Sequence, residues 1–378
     1  MSAARIRLGN TVFEGSNNAY LLEGDPTTLI DTGIAVDPGR SDLESGLAAR
    51  GLGFADVEQV LLTHWHADHA GLAGAIQAAG GATVRVHEAD APIVSGAEPP
   101  FFADADAQDR AFGAWGMPPA ARDRLRAHFS EGTAGLYGAP ADVDTLADGD
   151  RIRAGDRTLE AVHLPGHAAG LTAFATVGGA SGRDAARSDA GAGTGTAGQR
   201  ETGGGDGHGA ADGIDLGANE AFVGDAILPR YTPNVGGADV RVESPLRQYV
   251  DSLVRIVERG WDRAHPGHRD PIADPARRAA AILQHHRDRT RRVLGILRDG
   301  PADAWTVSAA LFGDLEGIHV LHGPGEAFAH LDHLERAGVV RREGVDYRLA
   351  DPGAEPDVRA LFPETRLYGT VEGETEGR

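Results

Sequence analysis

Residues 61–71 read LLTHWHADHAG, and four of the six positions from 64 to 69 carry side chains that bind metals: His64, His66, Asp68 and His69. The stretch before the motif, VEQVLLTH (57–64), has the apolar content of a buried strand. The stretch after it, AGLAGAIQAAGG (70–81), has the composition of a helix closed by glycine. The motif therefore falls on a turn between strand and helix. His64 and His66, two apart in extended backbone, can converge on one ion. Asp68 and His69, in the tight turn beyond, face elsewhere and can hold a second ion nearby. A polar helix-capping turn is the plain alternative, but such a turn has no use for four ligand-type residues in six positions.

A catalytic zinc site takes three protein ligands and keeps a position for water. Paired ions share a ligand, commonly a carboxylate. More histidines and at least one aspartate are therefore expected at other strand ends. Three stretches supply them: HLPGHAAG (163–170) turns at His167, FVGDAI (222–227) ends a strand at Asp225, and HPGHRD (265–270) ends another at His268. Each is common alone, and the four in this order are specific. His163 and His265 are the rival ligands. Both are expected inside strands, in core or supporting roles, and His87 is read as structural.

These residues resemble the metallo-β-lactamase superfamily over most of positions 10–270. Within it, THWHADHAGLAG (63–74) and the helix-rich C-terminal extension look most like the beta-lactamase-like protein two branch and its glyoxalase II-like relatives. The resemblance implies an α+β fold, an αββα sandwich with metals at one edge of two packed sheets. It implies that His64, His66 and His167 bind one ion, that Asp68, His69 and His268 bind another, and that Asp225 bridges them. Asp31, in LIDTG, matches an aspartate that orients a metal-bound histidine from behind. The cofactor expected is two divalent ions, zinc first, with iron or manganese as alternatives. The reaction expected is hydrolysis by a hydroxide held between the ions, with Asp68 also orienting it or moving its proton. Antibiotic-hydrolysing members of the best-known class place a cysteine in the second site. This chain has no cysteine, so lactamase activity is not expected as its main role.

The 378 residues suffice for one large domain and a smaller one. The net charge is −20 and every basic side chain is arginine. Such a composition resembles that of halophile proteins or reflects a GC-rich genome, and it opposes tight electrostatic binding of nucleic acid. No apolar run is long enough to span a bilayer, and the N-terminus lacks a signal pattern, so a cytoplasmic protein with no membrane partner is expected. Residues 1–272 read as the sandwich domain, with 178–219 a low-complexity insertion expected to be disordered. Its His208 is expected in solvent. Helices near 103–130, bearing Phe112, Trp115, Leu125 and Phe129, are candidates to cover one edge of the site. Tyr231, Asn234, Gly236 and Gly237 are candidates for the substrate entrance. Ser244 is expected to cap the helix that begins at Pro245.

Residues 273–350 read as a helical, winged-helix-like domain: a long helix over 275–298, TVSAALFG (306–313), GEAFAHLDHLERAGVV (325–340) and a ribbon in RREGVDYRLA (341–350). Residues 351–378 read as a loose polar tail. His285, His286, His319, His322, His330 and His333 are read as solvated or packing residues. A small-molecule ester or thioester is the substrate class expected. The absence of lysine excludes a lysine-based clamp for a glutathione carrier. The alternatives are an endoribonuclease cutting single-stranded RNA and a DNA-binding regulator. Against the first, the arginine run at 287, 289, 291 and 292 is balanced by acids. Against the second, the ligand set is complete, and the C-terminal part has few aromatics for stacking bases.

Overall fold

The fold is that of a computed structural model describing residues 3–10, 15–132, 135–177 and 207–364. The chain opens with β1 (Ala3–Leu8), β2 (Asn17–Leu22) and β3 (Thr28–Ile30), then α1 (Gly39–Ala48) and β4 (Gln59–Leu61). The motif follows with the one-turn helix α2 (Ala67–Ala70), then α3 (Ala73–Gly80), β5 (Thr83–His87), α4 (Ala91–Val94), α5 (Ala105–Ala114) and α6 (Pro119–Gly132). Next come β6 (Val143–Leu146), β7 (Arg151–Ala154), β8 (Arg157–His163), β9 (Thr172–Thr176), β10 (Ala211–Ile214) and β11 (Glu220–Gly224). The chain continues through α7 (Pro245–Arg259), β12 (Arg263–Pro266), α8 (Pro275–Arg298), α9 (Ala304–Phe312), α10 (His319–Arg336) and the ribbon β13 (Val340–Glu343) with β14 (Asp346–Leu349).

Two sheets form, in the orders β10-β1-β2-β3-β4-β5-β6 and β12-β11-β9-β8-β7. Period-two alternation decides what each strand face meets. Tyr20 and Leu22 of β2 point into the layer between the sheets, where they meet Phe174 of β9 and Phe222 of β11. Ala19 and Leu21, on the opposite face of β2, join the core formed with the helices. In β9 and β11, Ala173 and Val223 likewise face away from the layer that Phe174 and Phe222 fill. The outcome is an αββα sandwich with a helical C-terminal region packed on it. One further point positions the site: β3 ends next to Asp31, and β4, β8, β11 and β12 end next to candidate ligands, so one edge of the sandwich collects them.

Several expectations need correcting. The helix after the motif starts at Ala67, not near Ala70, because His66 O accepts from the amides of both His69 and Ala70. Asp68 and His69 therefore sit in a first helical turn. The low-complexity stretch does not extend to Asn219. Residues 178–206 lie outside the described residues, but Ala211–Ile214 forms β10, antiparallel to β1. Ile214 and Leu216, two apart, reach the layer between the sheets, which is the signal composition alone hides. His208, expected in solvent, lies half-buried with Nε2 3.5 Å from Ser16 Oγ. Ser244 occupies the cap position of α7 but in left-handed backbone, φ 51°, without a side-chain cap.

The arginine run of α8 is partly neutralised by its neighbours, with Arg287 buried and Arg291 and Arg292 exposed. Arg289 pairs with the buried Glu326, Arg291 pairs with Asp288, and Arg292 donates to Leu311 O. Phe112, Trp115, Leu125 and Phe129 are all core residues, and Trp115 packs toward Phe328 of α10. The aromatic that stacks on the motif is instead Tyr137, 5.9 Å from the Trp65 ring.

Helix α7 buries Leu246, Tyr249, Val250, Leu253, Ile256 and Val257, spaced as one helical face. Leu253 is fully buried in that face. Leu253→Ala is expected to cost about 2–5 kcal/mol, read as a lower midpoint in chemical denaturation with an unchanged slope.

Candidate metal centre

His64, His66, Asp68, His69, His167, Asp225 and His268, scattered over two hundred residues, meet at the edge where those five strands end. Three groups of potential ligand atoms form there: His64 with His66 and His167; Asp68 with His69 and His268; and His64 with His69 and Asp225. The groups share members, so they describe one continuous cluster. Asp225 lies between its halves. Its Oδ2 is 3.7 Å from His167 Nε2 and 3.4 Å from His268 Nε2, and its Oδ1 is 3.6 Å from His69 Nε2. The glycine of the PGH turn is needed for this approach, since a Cβ at Gly267 would lie 2.4 Å from His69 Cε1 and 2.6 Å from Asp225 Oδ1.

The ring orientations follow from the outward hydrogen bonds. His66 Nε2 lies 3.0 Å from Ala238 O, His167 Nδ1 2.9 Å from Asn234 O, and His268 Nδ1 3.3 Å from Gly15 O. Carbonyls only accept, so each of these nitrogens carries the proton. His69 Nδ1 meets Asp31 Oδ2 at 2.9 Å on the same logic. Thr63 Oγ1 donates to Asp31 Oδ2 at 2.8 Å, which leaves it to accept from His64 Nδ1 at 3.1 Å. All five histidines thus turn their other nitrogen inward. His64 Nε2, His66 Nδ1 and His167 Nε2 converge, with separations of 2.9 and 3.2 Å. Asp31 also accepts from Thr63 N and holds left-handed backbone at φ 56°, a strain that places its carboxylate behind both His64 and His69.

The charge balance is unusual for a protein interior. Burial would raise the carboxyls of Asp68 and Asp225, but the adjacent His69 and His268 outweigh it and hold both well below the ordinary range. Burial would lower the two histidines, but the same carboxylates raise them, His268 to about 10. At His64 and His66, burial and the neighbouring imidazoles outweigh the pull of Asp225 and Asp68 and lower both, His66 to about 4. His69 Nε2 and Asp225 Oδ1 are buried without a hydrogen-bond partner. Neutral imidazoles, bare carboxylates and orphaned inward atoms are what divalent cations satisfy.

The residues that motif reading left out hold the cluster from outside. Asn17 Nδ2 donates to Asp68 Oδ2 at 3.1 Å, and Asn10 lies beside it. Asp90 accepts from Trp65 N and Gly170 N, while Asp239 accepts from Trp65 Nε1 and Ala169 N. Arg241 joins the two carboxylates through Nη2, 2.7 Å from Asp90 and 2.6 Å from Asp239. This clamp fixes the loop bearing His64 and His66 against the loop bearing His167. No local pattern flags it, because Asp90 and Arg241 are far apart in sequence. Of the rival ligands, His163 stacks on His87 with ring centres 3.8 Å apart, and His265 pairs with buried Glu220 at 2.7 Å. Neither joins the cluster. Asn234, Gly236 and Gly237 lie against α10, whereas Tyr231 is half-exposed over Arg269.

A fourth group, His286, Glu326 and His330, lies buried between α8 and α10. It differs in charge, since Arg289 already neutralises Glu326. His286 and His330 were expected as solvated or packing residues, and both are fully buried.

Comparison with known proteins agrees with this geometry. Residues 12–180 match the model of the Metallo-beta-lactamase superfamily. A probable metallo-hydrolase, YqjP of Bacillus subtilis (strain 168), is 45% identical over 67 residues, 18% of this chain and 21% of that protein. The lactamase-like protein aptB of Emericella nidulans is 22% identical over 289 residues, 76% of this chain and 62% of that protein. The chain thus spans less than two thirds of the length of either relative. Among solved structures, a metallo-beta-lactamase family protein from Thermus thermophilus superposes with a TM-score of 0.68 and 28% identity, covering 92% of this chain and 98% of that one. A beta-lactamase domain protein from Burkholderia ambifaria gives a TM-score of 0.70 at 24% identity, covering 92% of each chain, a likeness of fold.

The clamp yields one expected outcome. Arg241→Ala leaves Asp90 and Asp239 buried without their cation, a loss of about 3–5 kcal/mol. Chemical denaturation of the purified variant measures it.

Proposed function

We propose, for a chain that carries a metallo-β-lactamase superfamily domain and is a hydrolase of that fold, a site for two divalent ions acting on a small-molecule ester or thioester. The observation that carries this reading is Asp225, a buried carboxylate set between the three-histidine group and the Asp68-His69-His268 group. The donor set fits metals: five inward imidazole nitrogens and two carboxylates, whose ion pairs among the described residues are all with histidines. His64, His66 and His167 would hold one ion, Asp68, His69 and His268 the other, with Asp225 shared. The nitrogen and oxygen donors suit zinc, with iron or manganese as alternatives.

Bound there, the ions would supply Lewis acidity, lowering the pKa of water and polarising a scissile carbonyl. The protein's own part is to fix and charge the donors. Asp31, Thr63 and the carbonyls of Asn234, Ala238 and Gly15 keep each imidazole in the tautomer that presents a lone pair inward. Asp68, held by Asn17 and well below its ordinary pKa, is a carboxylate at neutral pH and can orient a water at the site by accepting its hydrogen bond. The cluster contains neither serine nor cysteine, so water is the nucleophile that matches it. An ester or thioester is favoured over RNA because a net charge of −20 opposes binding of a polyanion.

Metal analysis of the purified chain is expected to find two ions, with Asp225→Ala losing at least one. A protein that retains none after zinc or manganese loading defeats the proposal. One preparation assayed on a thioester panel and on single-stranded RNA decides the substrate class, and turnover of RNA alone would overturn the ester reading.

Metal uptake should also be coupled to protons. His69 and His268 have folded pKa values above the ordinary 6.5, so without metal both keep a proton at pH 7. Ligation needs their lone pairs, so binding at pH 7 should release about two protons. The release should shrink as pH rises through about 10, where His268 is already neutral. Zinc titration calorimetry in two buffers of different ionisation enthalpy gives the count.

A further inference from the structure

We propose that helix α10 is the outer support of the three-histidine half of the site, with Asn234 and Glu326 as positioning residues that set how tightly that half holds its ion. This inference rests on the two-ion reading above and adds a role for the C-terminal region.

His66 and His167 both lean on one short stretch of main chain, donating to Ala238 O and Asn234 O. Residues 234–238 belong to neither a helix nor a strand, so something else must fix those two carbonyls. The clamp at Asp239 holds the Ala238 end, and the Asn234 side chain holds the other. Its Oδ1 accepts from Gly237 N at 3.1 Å, closing the turn, while its Nδ2 donates to His322 O at 3.1 Å and to Glu326 Oε2 at 3.3 Å on α10. The two backbones then meet directly. A Cβ at Gly325 would lie 2.3 Å from Gly237 Cα, and one at Gly237 would lie 2.7 Å from His322 Cα. Arg289 of α8 fixes Glu326 in turn. A continuous path of contacts thus runs Arg289, Glu326, Asn234, His167.

The other half of the cluster has no such path among the described residues. His69 is held by Asp31, His268 by Gly15 O and Asp68 by Asn17, all near the N-terminus. Loosening the contact with α10 should therefore weaken one ion and spare the other. Residues that orient a metal-binding histidine from behind typically alter affinity by roughly tenfold to a hundredfold.

The test uses the full chain loaded with zinc and titrated against a chromophoric chelator, with the visible spectrum of the cobalt(II)-loaded protein as a second readout. The variants are Asn234→Ala, which keeps the backbone carbonyl, Glu326→Ala, and Glu326→Gln, which keeps an oxygen for Asn234. Asn234→Ala and Glu326→Ala are expected to lose roughly tenfold to a hundredfold in affinity for one of two ions, with an altered cobalt spectrum, while Glu326→Gln stays closer to the parent. If Glu326→Ala fails to fold because Arg289 is left buried alone, Asn234→Ala, which leaves that ion pair intact, carries the test. Two ions held by Asn234→Ala with parental affinities overturn the inference and leave the two-ion reading standing. Equal weakening of both ions at an unchanged melting temperature overturns it as well. A parent chain that holds fewer than two ions defeats the two-ion reading and this inference with it.

Discussion

The interior of this protein contains a charge problem that the rest of the structure is arranged around. Asp31, Asp68 and Asp225 are buried within one cluster, and among the described residues their ion pairs are all with imidazoles. Burying carboxylates so close together is costly unless cations are supplied. Elsewhere the same chain solves similar problems with arginine. Arg241 joins Asp90 to Asp239, and Arg289 joins Glu326. For the three carboxylates at the strand ends it does not. That contrast separates a site built to receive ions from buried pairs that are already balanced.

The sandwich brings this about through strand termini rather than through any single element. β3 delivers Asp31, β4 the HxHxDH turn, β8 leads to His167, β11 to Asp225 and β12 to His268. Asp31, His64, Asp225 and His268 stand just past strands, so a sheet sets their positions, while Asp68 and His69 are carried by the short helix α2 and His167 by the PGH turn. The backs of the rings are then fixed by carbonyls and by Asp31. Rigidity comes from the sheets, and tautomer comes from the loops.

Much of this could be read in the sequence, and the reason is local. The ligands sit in short stretches with strong turn chemistry, such as PGH and VGD, directly after apolar runs. Spacing and residue type together made His64, His66, Asp68, His69, His167, Asp225 and His268 candidates, and the structure brings all seven together. The supporting residues were not legible. Asn17, Asp90, Asp239, Arg241 and Glu326 have ordinary neighbours in sequence, and their meaning arises only from partners far along the chain. Strand β10 was missed for a related reason. Its Gly-Asp composition hides Ile214, which with Leu216 just past the strand reaches the layer between the sheets.

The ligands are spread from position 64 to position 268, and the outermost support reaches Glu326. As a chain is synthesised from its N-terminus, the HxHxDH turn emerges long before its partners. Neither half of the cluster can then close early, since one waits for His167 and the other for His268. Asp31 and Asp68 have His69 close in sequence, but Asp225 and the partners His167 and His268 come much later. The long sequence separations involved favour slow assembly, and a nascent chain stopped before α10 would carry all seven candidate ligands without the wall that steadies two of them.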